Sequence, residues 1–238
     1  SIPVGFSIDG NRGIRDPRGM AGQKLGAHIH LVTAASGPVR NLSMVVQRCH
    51  LDIDGYVASP YASGLACLVE DAMDLGVTVV DMGGGPTTVA VFFDGSVVFT
   101  DVVPVGGAHV TNDIARGLST PIVEAERLKT LHGCATLSPL DDRETLEVPQ
   151  VGEEAGAQPN QIQKSMLIRI IQPRLEEMFE MVKSRLEQSG LDKVAGRRAV
   201  LTGGASQMPG LRDLAQKILD KQVRLGRPIR ISGLADAA

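Results

Sequence analysis

The 238-residue chain has no tryptophan, and two tyrosines and five phenylalanines bring its aromatic content to only 3%. Unpaired nucleic-acid bases are held largely by stacking on aromatic side chains, so a single-strand binding surface lacks its material here. A net charge of −3 also removes any broad attraction to a phosphate backbone, and no nucleic-acid partner is expected. Cysteine is scarce: Cys49, Cys67 and Cys134 are odd in number, far apart, and form no Cys-x-x-Cys pair. That pattern excludes a disulfide framework and a cysteine zinc site, and it points to reduced thiols in the cytoplasm. No apolar run approaches the ~20 residues of a membrane span, and no signal peptide opens the chain. There is no initiator methionine, so a processed or excised piece of a longer product is expected. Low-complexity tracts and short-period repeats are missing too. What remains, 43% hydrophobic and 21% charged residues, is the composition of a soluble globular protein with one large domain or two to three small ones.

Along the chain the pattern alternates between strand and helix. Ile2 to Ile8 reads as a strand, Arg12 to Gly26 as a loop, and Ala27 to Ala34 as a half-buried strand. Pro38 opens a helix with Val39, Leu42, Val45, Val46 and Cys49 on one face, and Ile53 to Ala58 reads as a short strand. A second helix runs from Pro60 to near Gly76. The β-branched run Val77-Thr78-Val79-Val80 then suits a buried strand. Thr88 to Phe93 and Val97 to Val103 are strands joined by the hairpin signal Asp94-Gly95. Helices follow at Thr111 to Leu118 and Pro121 to His132. A polar loop with one strand at Thr145–Val148 leads to a long helix from an Asn160 cap to Gly190, kinked at Pro173. A strand at Ala199 to Thr202, a helix at Pro209 to Leu219 and a strand at Val223 to Leu225 complete the pattern.

Two strand-into-glycine turns carry the chemistry: Asp81-Met82-Gly83-Gly84-Gly85 and Leu201-Thr202-Gly203-Gly204-Ala205. Consecutive glycines at a strand end let backbone N–H groups converge on an anion with no side chain in the way. Asp81 stands where an acid can hold the waters of a phosphate-bound Mg²⁺ or orient an attacking water. A glycine-rich hairpin with a capping Asp fits the local pattern equally well. At the second turn, glycines would let backbone approach a flat base, and a tight turn into a helix is at least as good a reading. Neither turn is a Walker loop or a Rossmann Gly-x-Gly-x-x-Gly. Glu126 and Lys129 lie three apart on one helix face, placed to meet ribose hydroxyls or a base, although spacing alone favours a surface ion pair.

Taken in order, these segments resemble one family. Asp81 to Phe92 is similar to the second phosphate motif of actin-fold ATPases, and Leu201 to Leu211 to their adenosine motif. The whole set resembles the FtsA family of bacterial cell division proteins. Gly13-Ile14-Arg15-Asp16-Pro17-Arg18-Gly19-Met20 resembles the opening of its subdomain 1C, and Tyr61-Ala62-Ser63-Gly64-Leu65-Ala66 its connecting helix. Ala125 to Lys129 with His132-Gly133-Cys134-Ala135 resembles the 2B helix that reaches the nucleotide, and Val223 to Pro228 a late 2A strand. The resemblance implies an α/β fold: a partial actin-like (ribonuclease H-like) ATPase fold with a small α+β 1C subdomain. It divides the chain into 1C (1–58), connecting helix (59–76), first part of 2A (77–107), 2B (108–194) and second part of 2A (195–238). The family's first phosphate motif, in subdomain 1A, and its amphipathic membrane-targeting helix have no counterpart in this sequence.

By the same resemblance, Gly83, Gly84, Gly85 and Thr87 would contact phosphate and Asp81 would act through Mg²⁺. Glu126 and Lys129 would meet ribose, and Gly203, Gly204 and Ala205 the adenosine of ATP. The family pattern usually has Thr at Pro86 and Asp at Thr88, and a hydrolytic relative, MreB, has Glu at Ser59. At most a weak ATPase is therefore expected. The family forms filaments and tethers FtsZ filaments to the cytoplasmic membrane. Its FtsZ contact maps to Ile171-Gln172-Pro173-Arg174, where Arg174 would take the acidic FtsZ tail with help from Lys164 and Arg169. The basic pattern alone reads more simply as a solvated face on a kinked helix. Subdomain 1C would meet later division proteins, and Arg12, Arg15 and Arg18 form a basic loop there. A pilus-assembly platform protein of the same fold and an actin-fold small-molecule kinase are the alternatives, and the kinase would need a general base and a substrate pocket that the sequence does not display.

Overall fold

The computed structural model describes residues 1–152 and 159–229. Part of the expected polar loop, residues 153–158, and the last nine residues of the second 2A segment, 230–238, lie outside the described residues.

A five-stranded sheet forms the centre. Its strands are β4 (Val77–Met82), β5 (Thr87–Phe93), β6 (Ser96–Val103), β9 (Arg198–Thr202) and β10 (Gln222–Leu225), in the order β10-β9-β4-β5-β6. The β4-β5-β6 meander is antiparallel, whereas β9 runs parallel to both β4 and β10. Side chains alternate across this sheet, and both faces are covered, which explains the near-continuous apolar runs of β4 and β5. Val80, Met82, Val89, Val91 and Leu201 face α4 (Gly107–Leu118), α6 (Lys164–Gln188) and α7 (Leu211–Leu219) in the larger core. Val77, Val79, Ala90, Phe92 and Val200 face a smaller core with Cys67 and Leu68. There the ring of Tyr61, on α2 (Ser59–Cys67), stacks on Phe92 with 6.2 Å between centroids.

A three-stranded antiparallel sheet, β2-β1-β3, comprises β1 (Ile2–Ile8), β2 (Asn11–Ile14) and β3 (Leu25–His30). It touches the larger body where His30 Nε2 lies 2.9 Å from Thr100 Oγ1, and where Arg15 pairs with Asp74 and Asp94. Arg18 pairs with Asp16, so the basic loop is partly self-neutralised. The remaining elements are α1 (Ser36–Arg48), α3 (Glu70–Leu75), α5 (Ile122–His132) and the hairpin of β7 (Thr145–Val148) and β8 (Asn160–Gln163).

Several sequence expectations shift. The expected loop at Arg12 to Gly26 contains most of β2, because Asp9-Gly10 turns the chain back with both residues at positive φ, and it ends inside β3, which starts at Leu25. The strand expected at 27–34 ends at His30, and the one expected at Ile53 to Ala58 is not formed. The expected connecting helix is two helices: Leu68 and Val69 are extended, burying Leu68 completely under the sheet. The long helix starts at Lys164, because Asn160 to Gln163 pairs with β7 and cannot cap it. That helix continues through Pro173 to Gln188.

Candidate functional site

The two glycine turns come together because β4 and β9 are parallel neighbours, with Asp81 opposite Thr202. The approach is close enough to demand glycine at Gly203. Its φ is +86°, and a Cβ there would lie 2.6 Å from the Met82 carbonyl oxygen and 2.7 Å from Asp81 Oδ1. A Cβ at Gly106 would lie 2.3 Å from the Gly85 carbonyl oxygen, so the N-terminus of α4 is pressed equally hard against the first turn. The α4 amides of Gly107 and Ala108 donate to the carbonyls of Gly83 and Gly84 at 2.9 and 2.8 Å. Those two carbonyls are thereby engaged. By contrast, a Cβ at Gly84, Gly85 or Gly204 would meet nothing within 4 Å. Nothing in the chain's own packing requires glycine at those three positions.

The turns open on a cleft of about 370 Å³, within the size range of small-molecule sites. Gly84, Gly106 and Gly107 line one side; Gly204, Ala205 and Met208, from and beyond the 3₁₀ turn Gly204–Gln207, line another. Glu126, Lys129 and Thr130 of α5 form the rim, over an apolar floor of Met82, Val110, Leu175 and Met178. Glu126 and Lys129 do pair, at 2.7 Å, with the Glu126 side chain 53% exposed at the surface and that of Lys129 only 14%. Lys129 Nζ also donates to Thr111 Oγ1 at 2.8 Å and to the Gly107 carbonyl at 3.2 Å. All three ammonium protons are thus placed, tying α5 to the start of α4. Burial pushes the Glu126 carboxyl up, but hydrogen bonds from Lys129 and Thr111 outweigh it and hold the group below the ordinary carboxylate range.

On the opposite sheet face, register creates a row. Thr88, Asp81 and Thr202 are direct neighbours on β5, β4 and β9. Helix α2 lies across them with residues four apart. Ser59 Oγ is 3.3 Å from Thr88 Oγ1, Ser63 Oγ donates to Asp81 Oδ2 at 2.7 Å, and Cys67 Sγ is 3.5 Å from Thr202 Oγ1. Asp81 is therefore held from α2 on one side and lies against Gly203 on the other. Thr87 is one residue out of phase and points the other way. It is fully buried and its hydroxyl donates to Met178 Sδ at 3.2 Å, so its side chain does not reach the open side of the turn. The spacing of Ser59, Ser63 and Cys67 was visible in the sequence, but which strand residues they would meet depended on sheet order.

The basic residues near Pro173 do not converge. Lys164 and Arg174 are ten residues apart, roughly 15 Å along the helix axis. Lys164 is paired with Glu144 at 2.8 Å and Asp141 at 3.6 Å. Arg169 is exposed. Arg174 Nε and Nη2 donate to the two carboxylate oxygens of Asp113, on α4, at 2.6 and 3.1 Å, and Nη1 donates to Glu177 at 2.5 Å. The hydrogen bond to Asp113 outweighs burial and raises the Arg174 pKa. Among the described residues, no group of three or more His, Cys, Asp and Glu is placed to hold a metal, and no helix is long and apolar enough to cross a membrane.

The sheet order, the paired strand-end turns and the cleft beneath them define an actin-like fold. Among solved structures, MreB5 of Spiroplasma citri bound to AMPPNP aligns with a TM-score of 0.64 at 15% identity, over 81% of this chain and 60% of that one. The PilM-PilN type IV pilus biogenesis complex aligns with a TM-score of 0.58 at 16% identity, over 79% of this chain and 46% of that one. The family model for Cell division protein FtsA matches residues 78–238, and that for the SHS2 domain inserted in FTSA matches residues 1–33. The chain is 48% identical over all 238 residues to Cell division protein FtsA of Agrobacterium fabrum, and covers 54% of it. It is 38% identical over 244 aligned residues to that of Escherichia coli K12, covering 100% of this chain and 57% of the relative. This chain belongs to the FtsA family of cell division proteins, and it spans just over half the length of these relatives.

Proposed function

We propose that this chain supplies the 2A and 2B side of an ATP-binding cleft in a cell-division adaptor. In this reading the adaptor self-associates into filaments, links FtsZ filaments to the cytoplasmic face of the inner membrane and recruits later division proteins through 1C. In this reading an amphipathic helix of the kind the family carries makes the membrane contact. The subdomain assignment is the one read from the sequence: 1C, connecting segment, 2A, 2B and 2A again. One observation carries the nucleotide reading. Gly84 and Gly204 at the cleft, and Gly85 beside them in the first turn, leave the strand-end turns bare, although the packing of the chain does not require glycine at any of them.

The cleft would take the nucleoside, with Glu126 at its rim and Gly204 and Ala205 beneath the base. The N–H groups of the first turn would face phosphate. A magnesium ion would be held mainly by those phosphates, with Asp81 reaching it through water, since the donor set offers a single acid. When bound, that ion neutralises phosphate charge. Lys129 already carries three hydrogen bonds, so it orders the rim rather than offering a free charge. Among the described residues, the groups on the Asp81 row are hydroxyls and a thiol, which supports a nucleotide-dependent scaffold with at most weak hydrolysis.

The test is titration of the full-length protein with a fluorescent ATP analogue and Mg²⁺, for the wild type and Gly84→Val. Saturable binding that Gly84→Val weakens at least tenfold supports the reading. No binding, or binding indifferent to Gly84→Val, rejects it. The PilM neighbour shares only the fold, whereas the curated relatives at 38% and 48% identity are cell division proteins.

A further inference from the structure

Arg174 is not an open cationic fork. Its side chain is 30% exposed and that of Asp113 24%, so the pair is largely withdrawn from solvent. Asp113 takes one edge of the guanidinium in the two-point geometry with which a carboxylate ligand would bind, and Glu177 takes Nη1. Two carboxylates on one guanidinium leave a net negative cluster. A third acid, Glu176, lies alongside, accepting from Gln172 at 2.7 Å. An arriving acidic segment therefore meets a guanidinium already engaged by two carboxylates.

We infer that Asp113 is a built-in competitor for acidic peptide at Arg174, so that an incoming carboxylate must displace Asp113 before the fork is free. This inference rests on the adaptor reading above, joined to the family resemblance that maps the acidic FtsZ tail to Arg174 in 2B. The two carboxylates have the same chemistry, but Asp113 is covalently tethered across the α4–α6 contact, which gives it a high effective concentration. Docking is then weaker than the bare fork would allow, and any change that moves α4 away from α6 strengthens it. Glu177 is a lesser competitor, because its side chain is 51% exposed and it occupies a single donor.

The experiment is calorimetric titration of this chain with a synthetic peptide of the acidic FtsZ tail, comparing wild type, Asp113→Asn, Glu177→Gln, Arg174→Gln and the double variant Asp113→Asn/Arg174→Gln. Asn keeps the size of Asp113 and one acceptor but loses the charge. The expected result is binding about five- to tenfold tighter for Asp113→Asn, a smaller gain for Glu177→Gln, and loss of that gain in the double variant. If wild type binds and Asp113→Asn binds equally or more weakly while still melting cooperatively, Asp113 only ties two helices and the competitor idea is wrong. If Asp113→Asn does not melt cooperatively, Glu177→Gln decides, and no gain there also rejects the idea. If neither wild type nor Asp113→Asn binds, or Arg174→Gln binds as well as wild type, the docking reading itself fails.

Discussion

Adjacent glycines at the second turn should behave in opposite ways when replaced by alanine. At Gly203, φ of +86° costs an L-residue about 1–2 kcal/mol. The new Cβ would also sit 2.6 Å from the Met82 carbonyl and 2.7 Å from Asp81 Oδ1, well inside van der Waals contact. That carbonyl closes β4, whose register with β9 is fixed on both sides, so relief needs a shift of the turn at a further ~1–3 kcal/mol. Alanine also narrows the unfolded ensemble, which returns about 0.4–1 kcal/mol. The net expectation for Gly203→Ala is a loss of roughly 1–4 kcal/mol, a large share of a typical domain's stability. At Gly204, φ is ordinary and a Cβ meets nothing, so Gly204→Ala should change stability by no more than about 0.5 kcal/mol. Its effect should appear in ligand affinity, where the methyl group intrudes on the base. Urea unfolding gives the first comparison and titration with an ATP analogue the second. Equal midpoints for the two variants would refute the close-packing account of Gly203, and unchanged affinity in Gly204→Ala would remove Gly204 from the site.

Substitutions at three further positions separate structural from ligand roles. Thr87→Val keeps the shape and removes the hydroxyl that faces Met178; it should cost at most about 1 kcal/mol in urea melts and leave nucleotide titrations unchanged. Ser63→Ala removes the donor to Asp81, so the increment that Mg²⁺ adds to nucleotide affinity should shrink while affinity in chelator stays constant; Ser63→Thr should restore it. Glu126 has a folded-state pKa below its unfolded one, so its stabilisation is complete above the unfolded pKa and fades as pH falls through the folded value. The difference in urea midpoint between wild type and Glu126→Gln should therefore narrow from roughly pH 5 downward, and a difference constant to pH 3 would contradict the assignment.

Much of the architecture was legible because it depends on local signals. The apolar runs of β4 and β5, the Asp94-Gly95 turn and the spacing of α4, α5 and α7 all lie close to their expected places. The misreadings share a physical cause. Asn160 to Gln163 has the polar look of a helix start, but tertiary pairing with β7 claims its backbone. Leu68 breaks the connecting helix because burying it under the sheet outweighs continuing the helical pattern. Among site residues, the turns and the Glu126–Lys129 pair could be read from motif and spacing. The partners could not: Met178 for Thr87, Ser63 for Asp81 and Asp113 for Arg174 are 91, 18 and 61 residues distant. Such pairings are set by strand order and helix packing, which no local window contains.

Helix α4 ties these distant facts together. Its first two amides consume the carbonyls of the glycine turn, its Thr111 anchors the Lys129–Glu126 rim, and its Asp113 holds Arg174. Gly107 and Asp113 are six residues apart, about 9 Å along one rigid element. The cleft and the Arg174 face therefore share a boundary element, and substitutions in α4 cannot be assigned to one site by their effect on that site alone. Thr111→Val illustrates the point. It breaks the rim network directly, but it also loosens the seat of α4 against the turn and, through the same helix, the Asp113 contact. Its effect on peptide affinity should be non-additive with that of Asp113→Asn, whereas a distant change such as Lys221→Gln should combine additively with both.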